Sequence, residues 1–320
     1  MGQFEDNNQI TPHASIKSNK FVGEIMESSF LSSVILPLSL AIIMIGIGLE
    51  LKLSDFGLLF NNPKPVIAGI LAQMLLLPIL GIIVGLYLFE FSSPYIGAGF
   101  VILALSPGGS TSNLFTLLAK GDLALSVSLT AIGSVITPFW LPFAATIILS
   151  NIGQTDAIEL NLLKTFIELF VISVIPITIG MLINAKKHSL SLKLRSPVKT
   201  ISTLFLFLII VALVIKNIDV LVANIYTVTP AALLLVVLAF LGGYVVSKLF
   251  ATTQAQTISI SIGVGIQNGT LALLITATIL EIPEMTLAAI FYSLIMFVVG
   301  FGAVYFFRKT VPQSEIESEV

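Results

Sequence analysis

Apolar segments long enough to cross a bilayer follow one another through almost the whole chain, separated by short polar connections. The hydrocarbon core of a membrane is about 30 Å thick, so a spanning helix needs roughly 20 apolar residues. Nine segments qualify: Phe30–Leu49, Pro65–Phe89, Pro94–Ala119, Leu123–Leu149, Leu162–Ala185, Val198–Ile215, Thr229–Phe250, Gln254–Leu280 and Met285–Phe307. Inside hydrocarbon every backbone polar group must be paired within the protein, which leaves helices and closed barrels as the only choices. Barrel strands would read as alternating segments of about ten residues, and these segments do not. The chain is expected to be an all-α integral membrane protein with nine transmembrane helices. Composition agrees: 10% of the 320 residues are charged, where soluble domains carry about 25%.

Two polar ends flank this membrane domain. Residues 1–28 contain Asn7, Asn8, Gln9, Lys17, Lys20 and Glu24 and lack the apolar centre of a signal peptide. Residues 310–320 carry Glu315, Glu317 and Glu319. The domain between them, residues 29–309, divides into a first half, 29–150, and a second half, 160–309.

The basic residues set an orientation. With nine spans, one side collects Lys52, Lys64, Lys120, Lys186, Lys187, Lys193, Arg195, Lys199, Lys248, Arg308 and Lys309, and the other Lys17, Lys20, Lys164 and Lys216, a split of 11 to 4 among 15. Basic residues concentrate on the cytoplasmic side. The N-terminus is therefore expected outside and the C-terminus in the cytoplasm of a plasma (inner) membrane.

Several function classes are disfavoured. A net charge of −2 gives no basic field for nucleic acid. No cysteine is present, and the two histidines, His13 and His188, lie in polar segments without metal-ligand spacing. Membrane catalysis would need a nucleophile with its base, a carboxylate pair or a metal. The spans offer none, so no enzyme and no cofactor are expected.

Two spans are interrupted. The third breaks at Ser106-Pro107-Gly108-Gly109 and resumes at Ser110-Thr111-Ser112-Asn113; the eighth breaks around Gly263-Val264-Gly265-Ile266-Gln267-Asn268-Gly269. A break at mid-membrane strands N–H and C=O groups, so it must be buried in protein or line a cavity. One such break would suit a kinked structural helix. Two, each one span before the end of its half, mark an inverted-repeat binding site. The third span enters from outside and the eighth from the cytoplasm, so the broken helices run antiparallel. One helix of a five-plus-five design is missing at the N-terminus. Half-helix N-termini carry about half a positive charge, and no Lys or Arg lies within a span near them. An anion is therefore expected at Gly108, Gly109, Ser110, Thr111, Asn268, Gly269 and Ser293.

These residues resemble the bile acid:sodium symporter family. Ser106-Pro107-Gly108-Gly109, Ser112-Asn113, Lys120-Gly121-Asp122 and Leu125-Ser126 match its first crossing motif, and Gly265-Ile266-Gln267-Asn268 its second. The resemblance covers roughly Leu36–Phe307 and implies a nine-span form of a secondary transporter for small organic anions such as bile acids, steroid conjugates or small carboxylates, working by alternating access with sodium as coupling ion. It implies one cation site at Ser112, Asn113, Ser126 and Thr130. A second would use Gln73, Gly263, Val264, Ile266 and Gln267. Hydroxyl, amide and carbonyl oxygens suit a hard cation. The family usually has a glutamate where this chain has Gly263. That departure opens a second reading, a sodium-independent transporter or facilitator, or a sensor derived from one.

Three further features have two readings each. Glu168, in the fifth span, is an interfacial carboxylate or a substitute cation ligand. Trp140 with Phe139 and Phe143 is core or substrate wall. Residues 186–199 are a topology determinant and lipid contact, or a substrate site. Pro37, Pro78, Pro138, Pro142 and Pro176 are expected to kink their helices.

Overall fold

A computed structural model describes residues 36–52, 57–109, 111–150, 162–216, 218–280 and 282–310. The N-terminal extension, the start of the first span before Leu36, the tail beyond Thr310 and Ser110 lie outside the described residues. Regular structure among those described is helical throughout. In chain order the helices are α1 (Leu36–Glu50), α2 (Pro63–Leu88), α3 (Pro94–Leu105), α4 (Thr111–Leu118), α5 (Leu123–Ser150) and α6 (162–186). There follow α7 (His188–Lys216), α8 (Ile218–Leu249), α9 (Gln254–Gly265), α10 (Gly269–Leu274, prolonged by Ile275–Ile279) and α11 (Thr286–Arg308). Among the described residues, four continuous stretches are long and apolar enough to cross a membrane: α2, most of α5, α8, and α11 with the turn before it.

The breaks fall close to where the sequence places them. The first separates α3 from α4; Pro107 lacks the N–H that continues a helix. The second is shorter than expected, because α9 runs on through Gly265 and only Ile266, Gln267 and Asn268 leave the helix. Two boundaries differ further. Helix α7 begins at His188, not Val198: hydropathy sees only the apolar part of a helix that continues through Lys193 and Arg195. Helix α8 begins at Ile218, not Thr229. Pro230 is accommodated inside it, and Asp219 in its first turn complements the helix dipole.

Proline leaves a different signature in α2. Pro78 cannot donate to the turn before it, and that turn, Ala72–Leu76, is a π-helix in which the Leu77 N–H reaches the Ala72 carbonyl. Gln73 sits in this widened turn.

Helix α1 packs chiefly against α6 and α7, while α8 packs against α9 and α11, and α5 against α3, α4 and α9. The carbonyls left free at the end of α1 are capped from α6 and α7. Asn184 Nδ2 donates to the Leu51 carbonyl at 2.8 Å, and Ser191 Oγ and Arg195 Nε donate to that of Leu49 at 2.8 and 3.0 Å. A guanidinium is favourable at this negative end of the helix.

Helix α9 is the buried centre. Its Thr257-Ile258-Ser259-Ile260-Ser261-Ile262 run alternates like a strand, yet all six side chains are buried in a helix. The hydroxyls are satisfied in different directions: Ser259 Oγ donates to the Asp122 carbonyl and Ser261 Oγ to that of Phe240, at 2.8 and 2.7 Å. A helix enclosed on every side has no need of an amphipathic period. Thr253 and Gln256 form the capping box that starts it.

Candidate functional site

The two breaks cross, and each pairs the other's backbone. The Gly109 N–H donates to the Ile266 carbonyl at 3.0 Å, and the Asn268 N–H to the Pro107 carbonyl at 2.9 Å. Gly108 and Gln267 thus form an isolated antiparallel bridge. Side chains take the other stranded carbonyls. Gln73 Nε2 donates to Ser106 at 3.2 Å, Gln267 Nε2 to Val264, and the buried Tyr292 hydroxyl to Gly265 at 3.0 Å. Pairing of these groups is what a low-dielectric surrounding demands. The approach at Gly108 is tight: a Cβ there would sit 3.0 Å from the Gly263 carbonyl oxygen, which would have to give by a few tenths of an ångström.

Beside the crossing lies a cavity of ≈ 20 Å³, measured as space for the centre of a water-sized particle. About one water or one small desolvated cation fits that space. Gln73, Ser112, Ser126, Thr130, Gly263 and Val264 line it, and none of its lining residues is charged. Sequence reasoning missed Gly69, Ile70, Met74, Leu129, Gly133 and Ile260, which also line it and carry no polar signal.

Around the cavity, α4 and α5 assemble an oxygen cluster. Ser126 Oγ donates to Asn113 Oδ1 at 2.8 Å, and Thr130 Oγ1 reaches the same oxygen at 3.4 Å. Ser126 and Thr130 share a face of α5 because they are four residues apart. Thr116 joins through a 3.1 Å bond to Ser126 Oγ; its spacing from Ser112 and Asn113 on α4 is the signal that finds it. Ser112 Oγ is buried and has no hydrogen-bond partner among the described residues. An unpaired buried hydroxyl costs free energy, which makes it a ready ligand.

The second expected cation set is joined through its side chains and partly dispersed around the cavity. Gln73 Nε2 donates to Gln267 Oε1 at 2.9 Å. Gly263 and Val264 line the cavity; Asn113, Ile266 and Gln267 do not. A Cβ at Gly263 would meet nothing within 4 Å.

Of the described residues expected at an anion, only Gly108 lines this cavity. Asn268 is the N-cap of α10: its Oδ1 accepts from the Leu271 N–H at 3.1 Å. Only its Nδ2 is then able to donate to an anion. Gly269 lies against Ser293, whose buried hydroxyl has no partner among the described residues. Gly109 packs on the Gln267 backbone, and Thr111 starts α4, half-buried.

Two other features resolve. Glu168 pairs with Lys164 at 3.9 Å on a partly exposed face of α6 and does not line the cavity. Phe139 and Phe143 are more than half exposed, four residues apart on the outer face of α5, and only Trp140 packs partly into the core.

A family model described as Sodium Bile acid symporter family matches residues 37–224. The hepatic sodium/bile acid cotransporter of Rattus norvegicus is 30% identical over 82% of this chain and 72% of its own length. The uncharacterized sodium-dependent transporter YocS of Bacillus subtilis (strain 168) is 29% identical over 72% of this chain and 69% of its own. The probable sodium/metabolite cotransporter BASS3, chloroplastic, of Oryza sativa subsp. japonica is 27% identical over 77% of this chain, which spans 57% of that protein's length.

Proposed function

The chain belongs to the Sodium Bile acid symporter family, and from that premise we propose that it is a secondary transporter carrying a small organic anion across the membrane by alternating access, coupled to sodium. The observation that carries this reading is the crossing itself: two broken helices that pair each other's backbone, beside a small cavity to which Gln73, Ser112, Ser126 and Thr130 bring neutral polar side chains among apolar neighbours. A structural kink has no need of a second break against it, nor of an unpaired buried hydroxyl at Ser112.

In this reading the chain has nine spans in an inverted repeat, residues 1–28 outside and residues 310–320 in the cytoplasm of the cell membrane. Residues 29–309 form the transporter domain. Sodium is held by Ser112, Asn113, Ser126 and Thr130, and more weakly by Gln73, Gln267 and the carbonyls of Gly263, Val264 and Ile266. The anion lies at the crossing, at Gly108, Gly109, Ser110, Thr111, Asn268, Gly269 and Ser293. Relatives named for bile acid and for metabolites fit an anionic head held by Asn268 Nδ2 and by the half-helix N-terminal N–H groups that the crossing does not use.

The neutral cation site bears on the alternative. A carboxylate about 4 Å from a monovalent cation contributes roughly 4 kcal/mol at an effective dielectric of about 20, before its own desolvation. With Gly263 in place of that group, sodium binding is weak or limited to one ion, and sodium-independent transport is the second reading.

A thermal-shift screen of purified protein against organic anions, in sodium and in potassium, tests the proposal, since a ligand of the folded state stabilises it. Stabilisation by an anion that is larger in sodium supports coupling. Equal stabilisation in both salts supports the sodium-independent reading.

A further inference from the structure

We propose that the side chains of Gln73 and Gln267 form an amide clasp that competes with the cation for the oxygens of the crossing. The inference rests on the reading that a cation binds there, and concerns how that binding is regulated.

The two glutamines stand 194 residues apart in sequence and meet head to head: Gln73 Nε2 donates to Gln267 Oε1 at 2.9 Å, with the reverse pair, Gln267 Nε2 to Gln73 Oε1, at 3.5 Å. Each amide nitrogen also serves a break. Gln73 Nε2 donates to the Ser106 carbonyl at 3.2 Å, and Gln267 Nε2 to that of Val264. The clasp therefore ties α2 to both broken helices.

The direction of these amides is set by their partners. Backbone carbonyls only accept, so each must face an NH2 group and not an amide oxygen. The nitrogens are donors only and cannot ligate a cation. Each of these oxygens keeps a second lone pair, so a cation can approach the Ser106 or Val264 carbonyl or Gln267 Oε1 while the N–H is in place, but it then stands beside the positive hydrogens of that NH2 group. Turning an amide over about its last torsion, which is broad and roughly two-fold, removes that repulsion and brings another oxygen to the cation, and it breaks the 2.9 Å bond between the two side chains. Clasp and bound cation therefore disfavour each other.

Two consequences follow for transport. The clasp raises the sodium concentration at which the site fills, because binding works against a satisfied network. It also gives the crossing a paired arrangement that needs no ion, so the carrier can reorient without one. With no carboxylate on the cavity wall, only neutral oxygens stand against these hydrogen bonds, and the competition is close.

The test is NMR of the detergent-purified full chain with 15N-labelled glutamine side chains, titrated with sodium chloride at constant ionic strength in potassium chloride. Gln73→Met and Gln267→Met assign the two NH2 signals while keeping side-chain length. In potassium, each substitution should shift the remaining partner's signal. Sodium should then move both wild-type signals with one midpoint, equal to the midpoint of its thermal stabilisation. If sodium stabilises the protein and the two signals stay in place, or if removing one glutamine leaves the other unmoved, the clasp is wrong and the cation reading survives. If sodium neither stabilises the protein nor moves the signals, the cation reading fails and the clasp with it. Should either methionine variant not fold, Gln→Leu at the same position provides the assignment.

Discussion

Asn268 donates its backbone N–H to the carbonyl of Pro107 at 2.9 Å, joining the second break to the first. Its side chain caps α10 through the Leu271 N–H. One residue thus closes the crossing and starts the half-helix that faces the proposed anion. Asn268→Ala should cost about 1 kcal/mol of stability as a lost N-cap and weaken anion binding by about 1–3 kcal/mol, the range for a hydrogen bond to a charged group. Asn268→Asp keeps the cap but sets a negative charge toward the anion. Its melting temperature should stay near wild type while binding is lost. Unchanged affinity in both variants removes Asn268 from the anion site.

Gly263 and Gly265 lie two residues apart and should respond in opposite ways. At Gly263 an added Cβ meets nothing within 4 Å, whereas at Gly265 it would overlap the Phe240 ring. Gly265→Ala should cost about 1–3 kcal/mol through overpacking, read as a lower melting temperature. Gly263→Glu should fold, and its carboxylate should tighten sodium binding at least about tenfold, a fraction of the roughly 4 kcal/mol Coulomb gain after desolvation. A titration with sodium against potassium decides. A folded Gly263→Glu variant that binds sodium no more tightly disproves the electrostatic role of this position.

The first break is legible because Pro107 and its two glycines leave a helix no continuation. The extent of the second break is not. Gly265 suggests a turn, but it remains helical, and its lack of a side chain leaves room for the Phe240 ring. The Ser126–Thr130 stripe and its meeting with Asn113 follow from helical spacing once α4 and α5 are neighbours. Gln73 has no such local signal: it is a single amide in an apolar run, and its meeting with Gln267 depends on how α2 crosses α9. Tyr292, which satisfies the Gly265 carbonyl, escapes notice for the same reason. The long N-terminal turns of α7 and α8 are missed because hydropathy reports the bilayer and not the helix.

Ser112 offers a separation of stability from binding. Its buried Oγ lacks a partner among the described residues, so Ser112→Ala removes no hydrogen bond. In potassium the variant should melt at or slightly above the wild-type temperature. In sodium the stabilisation should shrink, because a ligand is missing. Equal sodium stabilisation in the two proteins excludes Ser112 from the cation site.

Orientation is tested at the ends of the chain. Single cysteines in place of Asn8 and Ser318, in a protein that has no other cysteine, should differ in intact cells: an impermeant reagent labels the first and not the second. Labelling of both from one side contradicts nine spans.

The central claim is sodium-coupled transport through the crossing, and uptake into proteoliposomes measures it most directly. Purified protein is reconstituted with an inward sodium gradient, or with potassium in its place, and given radiolabelled carboxylates including a bile acid. The account predicts accumulation above equilibrium for at least one anion in the sodium gradient. That accumulation should collapse when the gradient is dissipated, and should be lost in Ser126→Ala/Thr130→Val, which removes two hydroxyls from the oxygen cluster. Uptake that proceeds equally in potassium and survives the double substitution would contradict it.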